Sequence, residues 1–146
     1  MSDDNCLFCS IVSEVTKAVV VYEDKDSLVF LDHRPLFPGH CLVVPRVHSE
    51  TLLDLPQDAV GPFFLRVQLI ARAVEAAMKA EGSFVAMNNR VSQSVPHLHV
   101  HVVPRKRKDG LKGFFWPRTK YESTEEMIEV GESISEQLAK LVGELG

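Results

Sequence analysis

The stretch Gln93-Ser94-Val95-Pro96-His97-Leu98-His99-Val100-His101-Val102-Val103-Pro104-Arg105 decides how this chain is read. From His97 to Val102 the residue types alternate strictly. His97, His99 and His101 fall on one side, Leu98, Val100 and Val102 on the other. A strand has a side-chain period of two, so the stretch reads as a strand with three imidazoles on one face and aliphatics in the core behind them. Same-face neighbours on a strand lie ~7 Å apart. Imidazole can be neutral or protonated near neutral pH. Two chemistries fit such a row: nucleophilic attack by an oriented histidine, and metal ligation. The plain alternative is a solvent face that happens to carry histidines. Three of the chain's six histidines in unbroken alternation weigh against it.

Working outward, the flanking chain supplies the rest of a small α+β domain. Val19 to Glu23 and Leu28 to Leu31 read as strands joined by the polar turn Asp24-Lys25-Asp26-Ser27, which makes a hairpin. Residues 32–39 carry two prolines and a glycine and form a connection. Cys41 to Pro45 is a third strand, nearly all apolar and therefore central. Ser49 to Leu55 reads as a short helical turn. The main helix runs from Asp58 or Pro62 to Ala80, with Pro62 in its first turn, where a missing N–H costs little. Phe63, Val67, Ile70, Val74 and Met78 form its stripe. Phe64, Leu65, Leu69, Ala71 and Ala77 widen the apolar surface beyond one face, so the helix needs covering on two sides. Glu81-Gly82 ends it, and Phe84 to Asn88 is strand four. The histidine-bearing strand is the fifth. Ser123-Thr124-Glu125-Glu126 has a capping-box pattern and opens an amphipathic helix over 123–143, with Ile134, Leu138, Leu141 and Leu145 on one face. The order β-β-β-α-β-β-α reads as an antiparallel sheet with helices.

The 146 residues suffice for one domain, read here as 1–146 with an unstructured tail at 1–5. A hydrophobic share of 45% against 25% charged residues is that of a soluble globule, and a net charge of −4 points to neither nucleic acid nor membrane. No apolar run reaches membrane-spanning length. The N-terminus lacks the basic and apolar regions of a signal peptide. The cysteine count is odd, with two in Cys6-Leu7-Phe8-Cys9, which fits reduced thiols or a metal in a cytoplasmic protein.

The stretch His97-Leu98-His99-Val100-His101-Val102-Val103 resembles the signature of the histidine triad (HIT) family. So do Gln93-Ser94-Val95 before it, Leu31-Asp32, and Gly39-His40-Cys41-Leu42-Val43-Val44-Pro45-Arg46, in the family's order. The resemblance covers about Cys6 to Arg105. It implies a five-stranded antiparallel sheet with one long helix, and a homodimer, which would cover the over-apolar helix.

For chemistry, the resemblance makes His99 the nucleophile that attacks a nucleotide α-phosphate and becomes a nucleotidyl-histidine. His101 and His40 line the phosphate site, and Ser94 binds phosphate and helps the leaving group depart. Asp32 accepts hydrogen bonds from ribose hydroxyls. Asn88 and Gln93 fall at the family's amide positions, although the connection Asn89-Arg90-Val91-Ser92 is shorter than the family's glycine-containing loop. Phe8, Ile11 and Val15 match the region that lines the base pocket, and could equally be core. For Ser94 and Gln93 the alternative is turn chemistry, for Asp32 a loop-starting carboxylate.

Cys6 and Cys9 have the C-x₂-C spacing of half a tetrahedral zinc site. The resemblance implies His48 and His97 as the other two ligands, in a structural role; otherwise the thiols pack as small apolar groups. Nothing calls for an organic cofactor. The loop 105–118 carries Arg105, Lys106, Arg107, Lys108, Lys112 and Arg118 and then Phe114-Phe115-Trp116. It could meet the far end of a polyphosphate, or be a solvated charge run.

The activity implied is hydrolysis of purine nucleoside phosphoramidates, dinucleoside polyphosphates or other adenylylated compounds, bound through an AMP or GMP moiety. Water is the acceptor, or phosphate, which would make a transferase. The rival is a nucleotide-binding sensor or scaffold. A third reading, action on adenylated nucleic-acid ends, rests only on the basic loop and runs against the net acidity.

Overall fold

The most apolar strand, β3 (Cys41–Pro45), is buried at every position and sits in the middle of the sheet. Around it stand β1 (Val20–Glu23), β2 (Ser27–Leu31), β4 (Gly82–Ala86) and β5 (Val100–Arg105). They form a five-stranded antiparallel sheet in the order β1-β2-β3-β5-β4. This computed structural model describes residues 5–111 and 118–145. Two compact units are present, one ending at Asp109 and one starting at Gly110. The first holds the whole sheet, α1 (Leu7–Val12) and α2 (Gln57–Met78). Phe114, Phe115 and Trp116 lie outside the described residues, as do residues 1–4.

Side-chain alternation divides the first unit into two cores. Val29, Cys41, Val43, Leu98, Val100 and Val102 face α2 and meet Phe63, Val67, Ile70 and Val74. Leu28, Phe30, Leu42 and Val44 face the other way and meet Cys6, Phe8, Cys9 and Ile11 at α1. The period-two expectation for strands two, three and five is thus met, and α1 closes the histidine face.

Several boundaries differ from expectation. The ladder of β5 starts at Val100, not at His97. Its register with β3 ends at Val43↔Val100. Beyond that pair the Pro45 carbonyl accepts the imidazole N–H of His97 at 2.8 Å, and Leu98 N–H turns to the Ser49 carbonyl at 2.6 Å. Side-chain and loop bonds therefore replace the ladder, while the in–out alternation persists. Pro62 is inside α2, in its second turn, where it has no N–H to give to the Asp58 carbonyl. The helix ends at Met78 with Lys79 left-handed at φ +52°, and Gly82 opens β4 instead of stopping the helix. Leu65 and Leu69 on the outer side of α2 are 60% and 43% exposed, so its second apolar face is open in the single chain.

In the second unit α3 (Thr124–Leu145) forms as the pattern predicts. Only half of the capping box is made. Ser123 Oγ accepts from Glu126 N–H at 3.1 Å, but the Glu126 carboxylate takes the N–H of Glu122.

Candidate active site and thiol centre

The N-terminus of α1 brings two sulfurs under the histidine row. Cys6 caps the helix, its Sγ accepting Cys9 N–H at 3.3 Å, which turns both thiols the same way. Cys6 Sγ and Cys9 Sγ lie 3.4 and 3.5 Å from His97 Nδ1, and Cys9 Sγ lies 3.3 Å from His48 Nδ1. The four ligand atoms fall within 4.8 Å of one another. His97 Nε2–H is donated to the Pro45 carbonyl, so the lone pair on Nδ1 faces the sulfurs. A ring nitrogen donated to a carbonyl while the other faces thiols is the arrangement of a metal-ligating histidine. Burial holds the His97 imidazole neutral, its pKa down at about 4, and pushes the Cys6 thiol up. Two sulfurs and two imidazole nitrogens could hold a tetrahedral ion with no open position. His97, expected in both catalysis and metal ligation, serves the thiol centre and does not line the neighbouring cavity.

On the same face His99 and His101 follow, with ring centroids 5.0 Å apart. His99 Nδ1–H donates to the His97 carbonyl at 2.8 Å. That leaves Nε2 as a lone pair, without a partner among the described residues. The tautomer of His101 is set by a longer chain. Leu36 N–H donates to His40 Nδ1 at 3.1 Å, so His40 carries its proton on Nε2 and gives it to His101 Nδ1 at 2.9 Å. His101 therefore presents Nε2–H. Asp32 Oδ2 lies 3.7 Å from His40 Nε2. Asp32, His40 and His101 also cluster closely enough for a metal. The Leu36 N–H argues otherwise, because it occupies His40 Nδ1 and keeps the proton on the nitrogen a metal would need. Burial lowers the pKa of His40 and His99, and brings His101 to about 4. The row is neutral at neutral pH: one free base beside one donor.

A cavity of about 740 Å³ opens over this pair. Phe8, Ile11, Asp32, Ser94, His99 and His101 line it, so these expected residues converge. Phe8 stands edge-on to His99 at 5.0 Å and is also core, so both of its readings hold. His40 lies behind His101. Val15 is exposed and outside the lining. Asn88 and Gln93 do not line the cavity and bond locally. Asn88 Nδ2 donates to the Ser92 carbonyl at 3.1 Å. Gln93 accepts from Arg90 N–H at 2.8 Å and donates to the Glu50 carbonyl at 2.6 Å. The short connection bends through positive φ at Arg90 and Ser92.

The described start of the basic loop leaves the C-terminal end of β5, roughly 20 Å of strand from His99. Arg105 is paired with Asp109 through Nε–Oδ2 at 2.5 Å and Nη2–Oδ1 at 3.0 Å, and Arg107 is paired with Glu81. Sequence reasoning did not find Thr16, Lys17 and His33, which also line the cavity. Nothing in their spacing marks them; the fold brings Thr16 and Lys17 there on the α1–β1 connection and His33 on the segment after β2.

The HIT-domain family model matches residues 13–108. The chain belongs to the histidine triad family. It is 33% identical over 144 residues to the Saccharomyces cerevisiae adenosine 5'-monophosphoramidase HNT1, covering 97% of this chain and 85% of that one. The crystal structure of SMU.412c from Streptococcus mutans superposes with a TM-score of 0.84 at 35% identity, covering 94% and 87%. A zinc-bound histidine triad family protein from Mycobacterium smegmatis superposes with a TM-score of 0.70 at 36% identity, covering 95% and 96%. In this HIT protein Cys6 and Cys9 precede the matched span, so the thiol centre joins two residues outside it to His48 and His97 within it.

Proposed function

We propose that this HIT-family protein is a nucleotide-binding hydrolase that cleaves purine nucleotide derivatives at the α-phosphate through a covalent His99 adduct. The observation that carries the reading is the state of the His99 ring. Its Nδ1–H is committed to the His97 carbonyl, and its Nε2 lone pair stands at the cavity. Attack by Nε2 on phosphorus puts positive charge on the ring, which the carbonyl acceptor stabilises without reorganisation. His101 Nε2–H is a donor for a non-bridging phosphate oxygen. The Ser94 hydroxyl assists the departing atom, and Asp32 receives the ribose. Water then attacks the adduct and releases the nucleoside monophosphate. The activity in the name of the yeast relative supports phosphoramidates as the first substrates to try.

The same reading gives the thiol centre a structural zinc held by Cys6, Cys9, His48 and His97. Bound there, the ion would supply cross-linking and no reaction chemistry, since all four positions come from the protein. The zinc-bound mycobacterial relative supports this choice of metal. The open apolar face of α2 supports a homodimer. Free thiols support a reducing, cytoplasmic setting.

Intact-mass spectrometry after rapid quench with adenosine 5'-phosphoramidate or a diadenosine polyphosphate tests the mechanism. The wild type should gain one adenylyl group and release AMP, and His99→Ala should do neither. Tight AMP binding by both proteins, with no adduct and no AMP release from either substrate, would replace the enzyme by a sensor.

A further inference from the structure

On the proposal that the thiol centre holds zinc and His99 is the nucleophile, we infer that Cys6 and Cys9 are an oxidation site for hydrogen peroxide. Their disulfide expels the metal and disarms His99.

The chain has three free cysteines, and the fold makes one pair of them. Cys41 sits in the core under α2, whereas Cys6 and Cys9 sit in the core on the opposite face of the sheet. Their sulfurs fall within the 4.8 Å that spans all four ligand atoms of the centre. They flank His97 Nδ1 almost evenly, at 3.4 and 3.5 Å. A disulfide brings two sulfurs to about 2 Å and bridges Cα atoms roughly 4–7 Å apart. Residues three apart on a helical turn have Cα atoms roughly 5–6 Å apart, so side-chain rotation alone closes the bond.

Both cysteines must be thiolates to hold a metal, and the thiolate is the form that peroxide oxidises. One thiolate attacks a peroxide oxygen and displaces hydroxide, which leaves a sulfenic acid. The second thiolate attacks that sulfur and expels its hydroxide as the S–S bond forms. The two sulfurs give up two electrons, the peroxide takes them, and two protons from solvent complete two waters. A disulfide carries no thiolate, so the metal loses half of its ligands. Cys6 and Cys9 are 3% and 8% exposed, which calls for a small oxidant. Asn5 and Leu7 on either side of Cys6 are exposed, so opening the first turn of α1 admits one.

Two links carry the change to the nucleophile. The first is His97, fully buried, with its Nε2–H given to the Pro45 carbonyl and its Nδ1 lone pair facing the sulfurs. Oxidation leaves that lone pair with neither metal nor S–H donor, so the ring shifts to find a partner. The carbonyl of the same residue holds His99 Nδ1–H at 2.8 Å. The second link is Phe8, between the two cysteines on α1 and edge-on to His97 at 6.0 Å and to His99 at 5.0 Å. Rotation of Cys6 Sγ toward Cys9 gives up the 3.3 Å bond from Cys9 N–H that caps this turn. The turn that carries Phe8 loosens with it.

The test loads the reduced full chain with zinc and treats it with hydrogen peroxide. The readouts are peptide mass mapping, zinc released to a chromogenic chelator, nitrogen NMR of labelled histidine, and the rate of adenylyl adduct formation. A Cys6–Cys9 link should appear together with free zinc and displaced His97 and His99 ring signals. Adduct formation should fall about 10–100-fold, more than AMP affinity does. Dithiothreitol with zinc should reverse all of it. Cys41→Ala should respond to peroxide as wild type does, and Cys9→Ser should form no link. No Cys6–Cys9 link, a link through Cys41, zinc retained after linkage, or unmoved His99 signals overturns the inference. A chain that takes up no zinc overturns the metal centre and the inference together. Linkage that frees zinc and displaces the His99 signals, in a protein that forms no adduct in either state, would uphold the inference and overturn the enzymatic reading alone.

Discussion

Gly39 immediately precedes His40, and its replacement by alanine tests how the backbone holds the histidine chain. Its φ of +97° is one that L side chains rarely adopt. A Cβ there would lie 2.6 Å from Met78 Cγ, 3.1 Å from Met78 Sδ and 3.4 Å from Pro104 Cγ. The conformational part of Gly39→Ala costs about 1–2 kcal/mol. The contact with Met78 is sharper but softer to resolve, because methionine is flexible and this one is 36% exposed. Moving it adds about 1 kcal/mol. Gly39→Ala should therefore lose about 2–3 kcal/mol in urea unfolding, with an unchanged m-value. The double variant Gly39→Ala/Met78→Ala should be about 1 kcal/mol more stable than the sum of the single changes predicts, because it removes the clash and leaves the dihedral strain. Because His40 N–H bonds back to the Phe37 carbonyl at 3.1 Å, strain at residue 39 should also disturb the His40–His101 bond and lower kcat. A Gly39→Ala protein within 0.5 kcal/mol of wild type, an order-of-magnitude bound for an unstrained surface change, would refute the dihedral argument. Strict additivity with Met78→Ala would refute the contact argument.

Three further outcomes are expected. His40→Ala removes the donor that orients His101 and should lower kcat by about 10–100-fold, while AMP affinity by calorimetry changes far less; full activity would mean that His101 needs no partner. Protein purified without chelator should carry one zinc per chain by plasma mass spectrometry, and Cys9→Ser or His48→Ala should lose it with a fall in Tm; a metal-free wild type of undiminished Tm would refute the zinc centre. Burial works to raise the Asp24 pKa, but Arg66, the N–H groups of Asp26 and Ser27, and the Tyr22 hydroxyl together hold it at about 2, below the ordinary 3.8. A depressed carboxylate stabilises the fold above its unfolded pKa, so about 1–2 kcal/mol, reduced for the partial exposure of Arg66, should be lost as pH falls from about 4 to 2. Asp24→Asn should lose that amount at neutral pH and flatten the acid limb of stability against pH; an unchanged limb would refute it.

How much was legible in the sequence can be argued from single residues. Alternation over His97–Val102 put the histidines on one face, because side-chain direction in extended chain is a local property, and it survived although the ladder begins only at Val100. The apolar run Cys41–Pro45 announced a central strand, and the C-x₂-C spacing announced two convergent sulfurs, since one helical turn brings Cys6 and Cys9 together. Tertiary structure decided what each imidazole does. His97 belongs to the thiols and not to the cavity because the Pro45 carbonyl, 52 positions away in the chain, takes its Nε2 proton. His101 is a donor because Leu36 N–H fixes His40 first. Gln93 and Asn88 carried the residue types expected, and tertiary structure decided their partners: Asn88 Nδ2 donates to the Ser92 carbonyl, and Gln93 bridges Arg90 N–H and the Glu50 carbonyl. Thr16 and Lys17 carried no signal at all, and only the packing of α1 against the sheet brings them to the cavity. Residue type and period belong to the chain; proton position and partner depend on contacts between segments distant in sequence, and those exist only once the sheet has closed.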